Sequence, residues 1–109
     1  MNGTYLRFYV QENRKHRGML LYEWLLEAAK KAGILGGSAF RAIAGYGRHG
    51  VLHEQHFFEL AGDVTVEVEF VLTEEDATKL LELIGREQLR LFYAKVPAEF
   101  GMLPGKADR

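Results

Sequence analysis

The stretch "GGSAFRAIAGYGRHG", residues 36–50, ends in a literal G-x-G-x-x-G formed by Gly45, Gly47 and Gly50. That spacing can serve two chemistries. In a dinucleotide fingerprint the glycines close a strand-to-helix turn whose backbone N–H groups meet a pyrophosphate. At the end of any strand, Gly45 and Gly47 allow positive φ, let the chain leave the sheet without a Cβ in the way, and expose N–H groups that cradle an anion. Arg48 and His49 add charge there. Downstream, His53 and His56 form H-x-x-H, and with His49 they could ligate a divalent metal. Arg14, Lys15, His16 and Arg17 make a second basic run, which by itself reads as a solvated turn. Little points to catalysis. The chain has no cysteine, no G-x-S-x-G elbow and no Walker lysine after its glycines, and Ser38 has no paired base. We expect no enzyme.

The elements decide between the two glycine chemistries. "TYLRFYV" (4–10) alternates, with Leu6, Phe8 and Val10 on one face and Tyr5, Arg7 and Tyr9 on the other, as a strand requires. A polar loop, "QENRKHRG", follows. From Met19 to Ala32, Leu21, Leu25, Ala28 and Ala32 recur at helical spacing, with Lys30, Lys31 and Gly33 as a stop. "SAFRAIAG" (38–45) reads as a second strand, with Phe40, Ala42 and Ala44 opposed to Ala39, Arg41 and Ile43. "VTVEVEFV" (64–71) is a third. A helix over 73–85 opens on Thr73 with Asp76 three residues on, a variant capping box. "QLRLFYAKV" (88–96) is a fourth strand, and 97–109 an irregular tail. The glycine motif therefore follows the second strand, and no long helix follows it. Glu67 and Glu69, the acids some 20 residues on, fall mid-strand. The dinucleotide fingerprint lacks its context, and strand-end geometry remains.

Two βαβ halves in 109 residues predict one domain of the α+β class, a ferredoxin-like βαββαβ sandwich with an antiparallel sheet and both helices on one face. The usual strand order 4-1-3-2 places the third strand between the first and second. Glu67 and Glu69 then lie near Arg7 and Arg41 on the face away from the helices, each opposite-charge pair adding about 0.2–1 kcal/mol. That face also carries Tyr5, Tyr9, Ile43 and Val71, a poor surface to leave in water, and this predicts self-association. A net charge of −1 argues against nucleic acid as a partner. No apolar run reaches the ~18 residues of a membrane span. The lack of a signal-peptide pattern and of cysteine suits the cytoplasm.

The chain resembles the PII signalling proteins, and more closely the PII-like family catalogued as domain of unknown function 190. The resemblance rests on "YLRFYV", on "RKHRGMLLYEWLLEAAKKAGILGGSAFRAIAGYG" with its His16, Gly18 and Leu21-Tyr22-Glu23, and on the strand-helix-strand pattern after it. It covers residues 4 to 96. It implies a homotrimer with sheets facing inward and an adenine nucleotide as effector, bound in clefts between subunits. The long connection, 48–63, would report ligand state to a target protein such as a transporter or enzyme. Carried over to this sequence, Ser38 matches the hydroxyl that opens the second strand, and Gly45 and Gly47 the glycines at the loop base. Tyr46 lies between those glycines, and Arg48 and His49 lie just beyond. His16, with Arg14, Lys15 and Arg17, belongs to a loop that the resemblance puts near the subunit cleft, where it would contact an anion. Where PII proteins carry a phosphate-meeting lysine before the fourth strand, this chain has "GREQLRL", so Arg86 or Arg90 would substitute. The trimeric CutA proteins share the architecture and are the alternative, with His49, His53 and His56 as metal ligands.

Overall fold

The computed structural model describes residues 1–46 and 64–106. Alternation in "NGTYLRFYVQ" produces β1 (Asn2–Gln11), in which Thr4, Leu6, Phe8 and Val10 are buried and the residues between them are not. The polar loop after it is not irregular. It holds a small hairpin, β2 (Lys15–His16) and β3 (Met19–Leu20), and helix α1 (Leu21–Lys31) starts only after that. The expected start at Met19 is therefore two residues early, because Met19 and Leu20 pair back to His16 and Lys15. The buried stripe of α1 is Leu21, Leu25 and Ala29, so Ala29 rather than Ala28 faces inward.

β4 (Ser38–Arg41) is shorter than expected, β5 spans Thr65–Leu72, and α2 spans Glu74–Arg86. The Thr73 hydroxyl accepts the Asp76 N–H at 3.1 Å, the cap expected from the sequence. β6 (Phe92–Glu99) begins four residues later than expected and takes in the start of the tail. Its pairing continues past its end: the Phe100 N–H donates to the Met1 carbonyl, and the terminal ammonium donates to the Phe100 carbonyl, both at 2.9 Å. Pro97 is accommodated in β6 because this is an edge strand, where a missing N–H can face outward.

The sheet order is β4-β5-β1-β6, with every neighbouring pair antiparallel, which is the expected 4-1-3-2 arrangement of the four main strands. The chain is a ferredoxin-like α+β fold. Cross-strand partners share a face, and the pairs Leu6–Phe70, Phe8–Val68 and Val10–Val66 put every buried strand residue on one side. Leu21, Leu25, Ala29, Ala77, Leu80 and Ile84 of the two helices close over that side into one core. Phe8 meets Phe70 edge-on at 6.3 Å between centroids. Burying side chains of this size stabilises by about 1.5–3 kcal/mol each. Thr4, the buried polar residue of this side, donates its hydroxyl to Glu74 at 2.6 Å, and Lys95 pairs with the same carboxylate.

The register corrects one expectation. Arg41 is opposite Val66, and Phe40 is opposite Glu67. Phe40 therefore stands on the open face, while Arg41 lies on the helix side at the sheet edge and pairs with Glu12. The open face holds Tyr5, Arg7, Tyr9, Phe40, Glu67, Glu69, Val71, Phe92 and Val96; Ile43 lies beyond the strand, fully exposed. Among the described residues, no helix is long and apolar enough to cross a membrane.

Candidate functional site

The antiparallel order puts four features at one end of the sheet. β1 ends there, β5 begins there, β4 ends there with Arg41 opposite Val66, and β6 begins there with Phe92 opposite Tyr9. The loop base that follows β4 and the segment that precedes β6 are therefore level along the strands. They sit at opposite edges, three strand spacings or about 14 Å apart.

The β6 edge carries a cationic corner. The two-residue connection of the β2–β3 hairpin is Arg17 and Gly18, both at positive φ (53° and 82°), as a type I′ turn demands. Gly18 adopts that conformation freely. Arg17 does not, and a residue with a Cβ gives up on the order of 1–2 kcal/mol in the left-handed region. The hairpin is seated by Leu21 N–H donating to the Arg14 carbonyl at 2.7 Å. Across from it, Glu87 caps the C-terminus of α2, and Gln88 takes a left-handed φ of 58° that turns the chain out of the helix.

Glu87 joins the two pieces. Its Oε1 accepts from Arg17 Nε at 2.8 Å and lies 2.8 Å from His16 Nε2. Arg17, and after it His16, hold the Glu87 carboxyl below the usual carboxylate range. A carboxylate at a helix C-terminus otherwise faces the negative end of the macrodipole. The His16 ring also stands edge-on to Trp24, 4.8 Å between centroids. Arg14 Nη1 donates to the Arg90 carbonyl at 3.0 Å. Lys15, Arg86 and Arg90 are exposed around these contacts. Three of the residues expected at a site, His16, Arg86 and Arg90, thus belong to one corner.

The remaining candidates fall elsewhere. Gly45, with φ 158°, and Tyr46 are exposed after β4, at the same end of the sheet but the opposite edge. Ser38 is exposed at the far end of β4, opposite Glu69. Next to it, Leu26, Ile34, Leu35 and Phe70 line an apolar groove of about 300 Å³. Gly37 closes this groove against the Phe70 ring, leaving no room for a Cβ. Gly47, Arg48, His49, His53 and His56 lie outside the described residues. Among the described residues no group of three His, Cys, Asp or Glu side chains could hold a metal.

Sequence reasoning missed Glu87, Trp24 and the Arg14–Arg90 contact, all of which span long separations in the chain. One signal was available: "HRGM" between two short runs fits a two-residue turn.

The open face contributes a second polar arrangement. Arg7 lies between Tyr5 and Tyr9, donating Nη2 to the Tyr5 hydroxyl at 2.9 Å and Nη1 to the Tyr9 hydroxyl at 3.1 Å. Those two bonds, Tyr5 first, raise the guanidinium pKa above its ordinary value. Tyr5 in turn donates to Glu69 at 2.5 Å. The Arg7 Nε sits 3.1 Å from Glu69 and 3.7 Å from Glu67, without hydrogen-bond alignment to either. One cation thus faces two carboxylates within a rim of exposed Phe40, Val71, Phe92 and Val96.

Known proteins share this chain's pattern over most of its length. The profile of the family DUF190, described as "Uncharacterized ACR", matches residues 3–88. A UPF0166 protein of Aquifex aeolicus is 38% identical over 79 residues, covering 72% of this chain and 75% of that protein. A UPF0166 protein of Methanocaldococcus jannaschii is 34% identical over 76 residues, 70% of this chain and 69% of its own length. The matched span contains the hairpin, both helices, the loop base after β4 and Glu87, and on that coverage the chain belongs to the DUF190 family.

Proposed function

We propose that the chain is a PII-like regulatory subunit, not an enzyme, that assembles as a homotrimer through the open face of its sheet. It binds a small anionic effector, an adenine nucleotide, in the seam between copies, in the cytoplasm. The observation that carries the reading is the split of the candidate residues between two edges at one end of the sheet. A single protomer holds the loop base at the β4 edge and the cationic corner at the β6 edge, about 14 Å apart across the strands.

When open faces pack around a symmetry axis, the β4 edge of one copy approaches the β6 edge of the next. Gly45 and Tyr46 then stand with His16, Arg86 and Arg90 of a neighbour around one cleft. The open face suits a second copy because it carries both signs of charge inside an apolar rim, and so is self-complementary. Residues 48–63 come next in the sequence and are the part a target protein would read. Ligand regulates only through a difference in affinity between two states of that part.

Native mass spectrometry of the purified chain with and without ATP tests both halves together. The expected result is a mass of three protomers that gains nucleotide. A monomer at micromolar concentration ends the assembly reading, and no uptake of ATP at millimolar concentration ends the effector reading.

A further inference from the structure

The cationic corner contains its own anion. Of the basic residues in the hairpin segment (Arg14, Lys15, His16 and Arg17) and beside the end of α2 (Arg86 and Arg90), His16 and Arg17 meet the Glu87 carboxylate directly. Two donors from the hairpin converge on one oxygen of that carboxylate, each at 2.8 Å. This pattern, a guanidinium and an imidazole aimed at a single oxygen, is the one a phosphate oxygen reproduces by charge-assisted hydrogen bonds. Glu87 and His16 are mostly covered, with 21% and 17% of their side chains exposed, whereas Arg17 is 67% exposed on the solvent side of the same contact. An anion can therefore reach Arg17 while Glu87 is still bound, and displace it stepwise.

We propose that Glu87 is a resident counter-anion that competes with the polyphosphate of an adenine nucleotide for His16 and Arg17. The ligand binds by exchange with this carboxylate, and the exchange reaches Trp24 through the His16 ring. This rests on the anion-site reading given above and adds its regulation: affinity is set by the fraction of molecules in which the carboxylate has let go. Apparent affinity equals intrinsic affinity scaled by that fraction. The reporter is built in, because Trp24 is the single tryptophan of the chain and its ring touches His16 edge-on.

Glu87→Gln keeps the side-chain shape and removes the competing charge. Calorimetry and Trp24 fluorescence are followed while wild type and variant are titrated with ATP, pyrophosphate and adenosine. In wild type, ATP and pyrophosphate change Trp24 emission. The variant binds both about fivefold or more tightly than wild type does, and its unliganded emission already resembles that of liganded wild type. Adenosine affinity is the same in both. Equal or weaker ATP binding by a variant with native circular dichroism overturns the proposal, as does Trp24 emission unchanged at saturation or an equal gain for adenosine. Should the variant fail to fold, the His16 Nε2 resonance of wild type decides: it moves on pyrophosphate addition, and a stationary resonance at saturation overturns exchange. ATP binding that ignores Glu87 removes only the exchange. Absence of ATP binding by wild type and variant alike removes the anion site with it.

Discussion

The two faces of the sheet are written in the same strands and differ in almost every respect. The helix-side face of β1 and β5 is Leu6, Phe8, Val10, Val66, Val68, Phe70 and Leu72, with Thr4 as its polar member. The other face, one residue out of phase, sets Arg7, Glu67 and Glu69 among aromatic and aliphatic side chains that are exposed or half-exposed. The first needs nothing but exclusion of water and finds it within the protomer. The second is too apolar to be indifferent to water and too charged to be a core. A polar centre costs stability relative to an apolar one but fixes which partner and which register are accepted, the best-attested use of such groups. Under the proposed assembly, period-two alternation would let one stretch of chain carry a folding instruction and an association instruction at once.

The comparison is broken most severely from the helix side. Phe8→Ala removes a ring packed on Phe70 and Tyr93 and should cost about 3–5 kcal/mol of stability, read as a lowered denaturant midpoint. On the open face the same size of effect should appear in assembly instead of folding. Arg7→Met leaves Glu67 and Glu69 without their cation, and should weaken self-association by about 3–5 kcal/mol while the protomer melts near its usual temperature. Glu67→Gln works in the opposite direction, since among the described residues the ion pair of Glu67 is the 3.7 Å contact with Arg7, which makes it the weakly compensated charge of the cluster. Sedimentation equilibrium of the pair should show dissociation in the first and tightening in the second. Two variants that shift assembly equally, or not at all, would erase the distinction between the faces.

The smallest effect is expected on acidification. Glu74 is held below its ordinary pKa by Lys95 and then Thr4, and Glu87 by Arg17 and then His16. A depressed folded-state pKa contributes stability above the unfolded value of 4.5, and that stability is lost as pH falls through the lower folded value. Thermal melting should therefore hold steady from neutral pH down to about 5 and decline below it. Glu74→Gln should flatten that decline without moving the oligomer equilibrium, because Thr4 and Lys95 lie on the helix side.

Much of the fold was legible because the signals were local. The alternation of 4–10 and 65–71, the cap at Thr73 and the helical spacing of 21–32 each fit within one element, and the strand order follows from the βαββαβ sequence of elements. What stayed hidden depended on register between distant segments. The face of Arg41 is decided by its pairing with Val66, and the alanines of 38–45 give too little contrast to reveal it in isolation. The start of β6 is set by the left-handed Gln88 and by Glu87, which holds the chain against a hairpin some 70 residues earlier. The candidate site was legible in part. The basic run 14–17 and the arginines at 86 and 90 were recognised separately, but the carboxylate between them carries no motif.

Pro97 bears on where the proposed assembly would stop growing. A face that attracts copies of itself brings strand margins into proximity, and an uninterrupted margin invites further ladders to add without limit. With an imide nitrogen in the outermost strand, the row of donors available to a newcomer has a gap at that residue. In the proposed assembly, closure to a finite ring would thereby be favoured over a fibre by a single atom that cannot carry a hydrogen.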